Sequence, residues 1–226
     1  MSEKRDREIA ANKSLPGYEQ VAEAARSFTD PVRLEIIEAL AQSARTVDSL
    51  ARVCGLPLKN ISHHLQRLRV AGLVDRVKLG RRAVYSLKDD GVASFWVALR
   101  QFAEDHPTGL MDSGGGPAEE GVTAESLAQL LDQQRVVVID VRPPEEYAHG
   151  HLTGAISIPL AELEKRLGEL PRGRPVVAFC RGPYCRLADR AIDLLRRSGF
   201  EALRCADGVV EWRVAGLPIE DEEEKV

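Results

Sequence analysis

SLARVCGLPLKNISHHLQRLRVAGLV, Ser49–Val74, holds two amphipathic segments separated by Cys54-Gly55-Leu56-Pro57. In the first, Thr46 can cap a short helix carrying Val47, Leu50, Ala51 and Val53, and Gly55 ends it. In the second, Leu58–Val70 predicts a helix with Leu58, Ile61, Leu65 and Leu68 on one face, stopped by Gly72. The opposite face presents Lys59, Asn60, Ser62, His63, Gln66 and Arg67. Such a helix can dock by its apolar side and offer donors to a DNA major groove. There Asn and Gln pair with adenine, and Lys and Arg serve guanine or phosphate. Outward along the chain, Leu73–Lys78 and Ala83–Leu87 read as strands flanking the turn Leu79-Gly80-Arg81-Arg82. Lys78, Arg81 and Arg82 then sit at the tip of a wing, where they would meet backbone or minor groove. Upstream, a helix is expected from about Tyr18 to Ser27. Asp30-Pro31 opens another, with Leu34, Ile36, Ile37, Leu40 and Ala41 apolar. Downstream, Val92–Phe102 carries Val92, Phe95, Trp96, Leu99 and Phe102, a stripe suited to core or a dimer surface. Two short helices followed by a hairpin make a helix-turn-helix with a wing.

Thr29–Leu87 resembles the ArsR/SmtB family of winged-helix repressors, through TDPVRLEIIEAL, the core quoted above and GRRAVYSL. The resemblance covers most of residues 18–102. It implies a homodimer, with the first and last helices as interface, on a palindromic double-stranded operator, and release of repression by an inducer. Many members sense metals through cysteines in the helix before the recognition helix, where this chain has Thr46 and Asp48. The last helix has no His or Cys, and His106 lies beyond it. Glu38 stands where a paired-cysteine persulfide sensor would carry its first thiol. His63 and His64 are adjacent and do not share a helix face. Cys54 is alone in this half and is expected to be a small buried hydrophobe. No metal site is expected, and sensing is assigned elsewhere in the chain.

The stretch His106–Gly121, HPTGLMDSGGGPAEEG, reads as a linker. Beyond it, helical and strand patterns alternate: Thr123–Gln134 helix, Val136–Ile139 strand, Leu160–Leu170 helix, Val176–Phe179 strand, Leu187–Ser198 helix, Ala202–Cys205 strand. Alternation of this kind predicts a parallel sheet covered by helices. The Val176–Phe179 strand leads into Cys180-Arg181-Gly182-Pro183-Tyr184-Cys185 and then a helix. A thiol on a tight loop at a helix N-terminus gains from loop amides and the helix dipole, which favour thiolate over thiol. Cys180 is therefore the expected nucleophile.

With VIDVR (Val138–Arg142), EEY (Glu145–Tyr147), GHLTGA (Gly150–Ala155), DGVVEW (Asp207–Trp212) and Gly216-Leu217-Pro218, residues Thr123–Pro218 resemble a single-domain rhodanese. That resemblance implies a sulfurtransferase activity, in which Cys180 accepts sulfane sulfur as a persulfide from a small donor such as thiosulfate or polysulfide. It places Asp140 and Arg142 near the active loop, which also contains Arg181. Structurally, Asp140 could only organise the strand end, and Arg142 could only pair with a carboxylate. The loop departs from the common pattern at Pro183, which removes an amide donor, and at Cys185. Cys185 could attack a Cys180 persulfide and leave a disulfide, or it could be a helix-start residue with a buried sulfur. Cys205 is expected in strand core. Cys180 to Arg186 also fits C-x5-R, the oxyanion-clamping motif of phosphatases and some arsenate reductases on a rhodanese-like fold. Against that reading stand Phe179 before the nucleophile and the interruption at Pro183.

The 226 residues suit two small domains, and the charge of −4 is uneven. Residues 1–105 carry 17 Lys+Arg against 14 Asp+Glu, and the remainder 14 against 21. Seven bases and one acid fall within Lys59–Arg82, a possible phosphate footprint. No secretory h-region and no membrane-length apolar run occur, so a cytoplasmic protein without membrane partners is expected. Four scattered cysteines do not make a disulfide framework. The expected organisation is a tail (1–17), a mainly-α winged helix-turn-helix domain (18–105), a linker (106–121), an α/β rhodanese-like domain (122–219) and an acidic tail (220–226). The expected function is a DNA-binding transcriptional regulator, as repressor, coupling sulfane-sulfur or redox state at Cys180 to DNA binding, with no cofactor. The alternative is an arsenic- or metal-responsive regulator bearing an arsenate-reductase-like or independent thiosulfate sulfurtransferase domain.

Overall fold

A computed structural model describes residues 16–80, 82–106 and 121–221. Most of the expected linker and the two chain ends lie outside the described residues. The chain forms two compact units, residues 1–40 with 44–89, and residues 41–43 with 90–226.

The first unit opens with α1 (Pro16–Arg26) and α2 (Pro31–Gln42). Asp30 Oδ1 accepts from the Arg33 amide at 3.0 Å, the N-cap bond that Asp-Pro led us to expect. A two-residue strand β1 (Arg45–Thr46) leads into α3 (Val47–Cys54). Thr46 Oγ1 accepts from the Ser49 amide at 3.2 Å, and Gly55 ends the helix in the left-handed region. Then come α4 (Leu58–Val70), β2 (Val74–Leu79) and β3 (Arg82–Leu87). Ile36, Ile37, Leu50, Ile61, Leu65 and Leu68 are wholly buried and make this unit's core. Leu58, assigned by pattern to the apolar face of α4, is 49% exposed instead. It occupies the first helical position, where no preceding turn packs over it.

The β2–β3 ladder is antiparallel from Val74↔Leu87 to Leu79↔Arg82. At the tip each strand therefore extends one residue further than the hydrophobic pattern indicated, to Leu79 and from Arg82. Pairing continues through charged tip residues because the backbone, not the side chains, makes the ladder. β1, which two residues cannot announce in a sequence, pairs with β3 as Arg45↔Tyr85 and Thr46↔Val84.

The second unit includes α5 (Asp90–Asp105), longer at both ends than its apolar stripe. Val92 and Trp96 are buried, while Phe95 is 48% and Phe102 62% exposed. The stripe thus divides between a packed face and an open one. After α6 (Ala124–Asp132), capped by Thr123, come β4 (Val137–Asp140), α7 (Pro144–Ala148), β5 (His151–Leu152), β6 (Ile156–Ser157) and α8 (Leu160–Arg166). β7 (Val176–Cys180), α9 (Arg186–Arg197), β8 (Ala202–Gly208), α10 (Val209–Val214) and β9 (Ile219–Glu220) complete the unit. Four parallel strands lie in the order β6-β4-β7-β8. Every residue of β4 and β7 is buried, as a sheet covered on both faces requires. β5 and β9 form a separate antiparallel pair. Among the described residues, no helix is long and apolar enough to cross a membrane.

Candidate functional site

On the recognition helix α4, Lys59, Asn60, Ser62, His63, Gln66 and Arg67 are all exposed, opposite the buried Ile61, Leu65 and Leu68. Arg67 Nε donates to His63 Nε2 at 3.1 Å, so His63 accepts at that nitrogen. His64 turns to the other side, half-buried, with Nδ1 3.6 Å from Asp30 Oδ1. Lys78 and Arg82 are exposed at the end of the hairpin. Arg81, expected at the same tip, lies outside the described residues.

Cys54 is half-buried rather than buried, beside Glu35 and Arg45. Burial and the Glu35 carboxylate push its thiol up to about 11. Cys205 is 2% exposed, in strand core, and burial pushes its thiol up to about 12. Neither is a nucleophile at neutral pH.

The loop after β7 is different. Cys180 ends the strand at 2% exposure, and Cys185, immediately before α9, is joined to it in a disulfide with Cα atoms 6.4 Å apart. Two fixed features shape the turn between them. Gly182 has φ +152°, a value side chains resist. Gly208 of β8 pairs with Cys180, and a Cβ there would sit 1.9 Å from the Arg181 carbonyl oxygen. The neighbouring strand can approach the loop only with glycine at this position.

Arg181 does not point away from the protein. Its Nε and Nη2 donate to the Glu146 carboxylate at 2.9 and 2.6 Å, and Glu146 is buried on α7. Asp140 and Arg142 are fully buried and bound to each other, with Arg142 Nη2 2.6 Å from Asp140 Oδ2 and Nε 3.0 Å from Oδ1. Arg142 Nη2 also donates to the Gly150 carbonyl, and its guanidinium lies 5.3 Å from the Phe179 ring centroid. The pair braces the end of β4 beside the residue that precedes Cys180. Arg186 opens α9 with its side chain exposed. Sequence reasoning passed over two members of this constellation: Glu146, quoted only as part of a motif, and Arg204. Arg204 is 7% exposed on β8 and donates to loop carbonyls. The available signal was an arginine inside an otherwise apolar strand pattern.

A helix-turn-helix domain family matches residues 28–77, and the rhodanese-like domain family matches residues 123–215. The HTH-type transcriptional regulator Rv0324 of Mycobacterium tuberculosis is 37% identical over 206 residues, 90% of this chain and 91% of that protein. The chain belongs to the family of HTH-type transcriptional regulators. This regulator carries a C-terminal rhodanese-like domain, and that half is 32% identical over 99 residues to a sulfurtransferase of Allochromatium vinosum, covering 43% of the regulator and 92% of the relative. Among solved structures, the homodimeric winged helix-turn-helix DNA-binding domain of Mb0332 from Mycobacterium bovis, described as a possible ArsR-family regulator, matches at 29% identity. That match has a TM-score of 0.40 and covers 43% of the regulator and 90% of the Mb0332 domain.

Proposed function

We propose that the regulator is a homodimeric repressor that binds operator DNA through α4 and the β2–β3 hairpin and is released when sulfane sulfur reaches Cys180. The observation that carries this reading is the union of Cys180 and Cys185 at the end of a buried parallel strand. The reduced loop supplies a nucleophile and a resolving thiol. The Cys180 thiolate attacks the outer sulfur of thiosulfate, the donor S–S bond breaks, and sulfite departs with the electron pair. Cys180 is left as a persulfide. The Cys185 thiolate then attacks the inner sulfur of that persulfide. The terminal sulfur leaves as hydrosulfide, and the Cys180–Cys185 disulfide remains. A thiol reductant returns both residues to the reduced state. Arg181 and Glu146 hold the loop, and Asp140 with Arg142 brace the strand end.

Operator binding of wild type, Cys180→Ser and Cys185→Ser, with and without inorganic polysulfide, tests the reading. Wild type should lose affinity on treatment and regain it with thiol reductant, and Cys180→Ser should not respond. Cys185→Ser should form the persulfide, seen by mass spectrometry as one added sulfur, without a disulfide. Identical responses in all three would remove the loop from sensing. A thiosulfate:cyanide assay beside an arsenate assay separates the chemistries. Cys180-dependent turnover of arsenate, with none of thiosulfate, would replace this reading by the arsenic-responsive one.

A further inference from the structure

We propose that Arg204 is the positioning residue that sets the shape, and through it the acidity, of the Cys180 loop. The inference rests on Cys180 being the sulfur nucleophile. A single nitrogen of Arg204, Nη2, lies 3.2 Å from the Gly182 carbonyl oxygen, 2.8 Å from that of Pro183 and 3.3 Å from that of Cys185. Its Nε lies 3.1 Å from Asp189 Oδ1, on the first turn of α9. The guanidinium therefore gathers three of the loop's carbonyls at one point and ties them to the helix that follows.

In a planar trans peptide the C=O and the next N–H point in opposite directions. Fixing the Pro183 and Cys185 carbonyls on Arg204 turns the Tyr184 and Arg186 amides away from it. Pro183 has no amide hydrogen, so the Gly182 carbonyl can be held without displacing a donor. The loop that lacks one donor at Pro183 thus has the orientation of two of its other amides, Tyr184 and Arg186, set by a buried cation. A thiolate or persulfide held by oriented amides is favoured over its protonated form. Asp189 pairs with Arg204 in turn, and the planar guanidinium fork favours holding several acceptors in one geometry.

The test is the pH dependence of Cys180 alkylation by iodoacetamide in the reduced full-length protein. Cleavage after Arg181 puts Cys180 and Cys185 on different peptides for mass spectrometry. In Arg204→Gln the midpoint should rise by about one pH unit, with an alkylation rate at pH 7 about tenfold below wild type. Arg204→Lys keeps the charge without the planar fork and should fall between the two. An unchanged midpoint in a folded Arg204→Gln protein, with folding checked by thermal melting, overturns the proposal. If that variant does not fold, Asp189→Asn replaces it, since Asp189 is only partly buried. Its expected shift is in the same direction and about half as large, and no shift overturns the proposal. The readout needs no sulfur donor. A wild type that forms no persulfide would sink the sulfur-sensing function while this measurement still decides the role of Arg204.

Discussion

Four cysteines divide by environment into two chemical classes. Cys54 and Cys205 have thiols pushed up to about 11 and about 12, chiefly by burial, so both stay protonated throughout the neutral range. Cys180 and Cys185 stand at a strand end and a helix start. After reduction, brief alkylation at pH 7 should therefore label Cys180 and Cys185 and spare the other two. Raising the pH past 11 should bring Cys54 into reaction before Cys205. Early labelling of Cys205 would show that its strand opens readily. Gly208 gives a second prediction at this scale. With a Cβ 1.9 Å from the Arg181 carbonyl oxygen, Gly208→Ala must displace the loop or the strand. We expect a loss of about 1–3 kcal/mol in thermal or denaturant unfolding, and slower Cys180 alkylation. Both thiols of the loop could be found in the sequence, because a motif is local. Glu146 and Arg204 could not be assigned roles, because their partners lie 35 and about 20 residues away and only the fold brings them together.

Helices whose ends carry chemical punctuation were the most legible elements. Thr46, Gly55, Asp30 and Thr123 each do at an element boundary what their side chains or backbone freedom allow. The short elements β1, α7, β5, β6 and β9 were not legible, since two to five residues carry no measurable period and are held by neighbours from elsewhere in the chain. Leu58 failed for a related reason: helical phase tells which direction a side chain takes, not whether anything waits there to cover it. On α4 the phase did separate donors from core, and the two kinds of exposed residue should behave differently in DNA binding. Gln66→Ala should cost about 1–3 kcal/mol at one base position and relax preference there. Lys78→Ala on the hairpin should weaken binding to all sequences alike and reduce the salt slope by about one. Titrating each variant against single-base operator variants at two salt concentrations distinguishes these outcomes. Equal effects of both on every sequence would take Gln66 out of base readout.

At the level of the whole chain, basic charge is in surplus through residue 105 and acidic charge after it, as the proposed division between nucleic-acid binding and sulfur chemistry would favour. The proposed repressor must also be a dimer, since one recognition helix reads only half of a palindrome. Among the described residues, the exposed apolar side chains on the first and last helices of the winged-helix half include Tyr18 and Val21 on α1, and Phe95 and Phe102 on α5. Phe102 stacks on His106 at 4.3 Å yet remains 62% exposed, so one of its faces is open. Large apolar side chains grouped on an open helix face mark an association surface more often than chance exposure does. Replacing Phe95 and Phe102 together by Asp should convert the protein to a monomer in sedimentation. Operator affinity should fall by at least about a hundredfold as the bivalent gain is lost. Thiosulfate turnover at Cys180 should persist, because neither phenylalanine belongs to the loop or to the residues that hold it. A doubly substituted protein that still sediments as a dimer would move the interface to α1, where Val21→Asp repeats the test. Loss of sulfur transfer together with dimerisation would instead mean that the loop needs α5 intact, which the buried contact of 2.6 Å between Arg100 on α5 and Glu211 on α10 makes possible within the same compact unit. Glu211 also accepts from the Gly208 amide at 2.6 Å, so a shift of α5 can reach the strand that lies against Cys180.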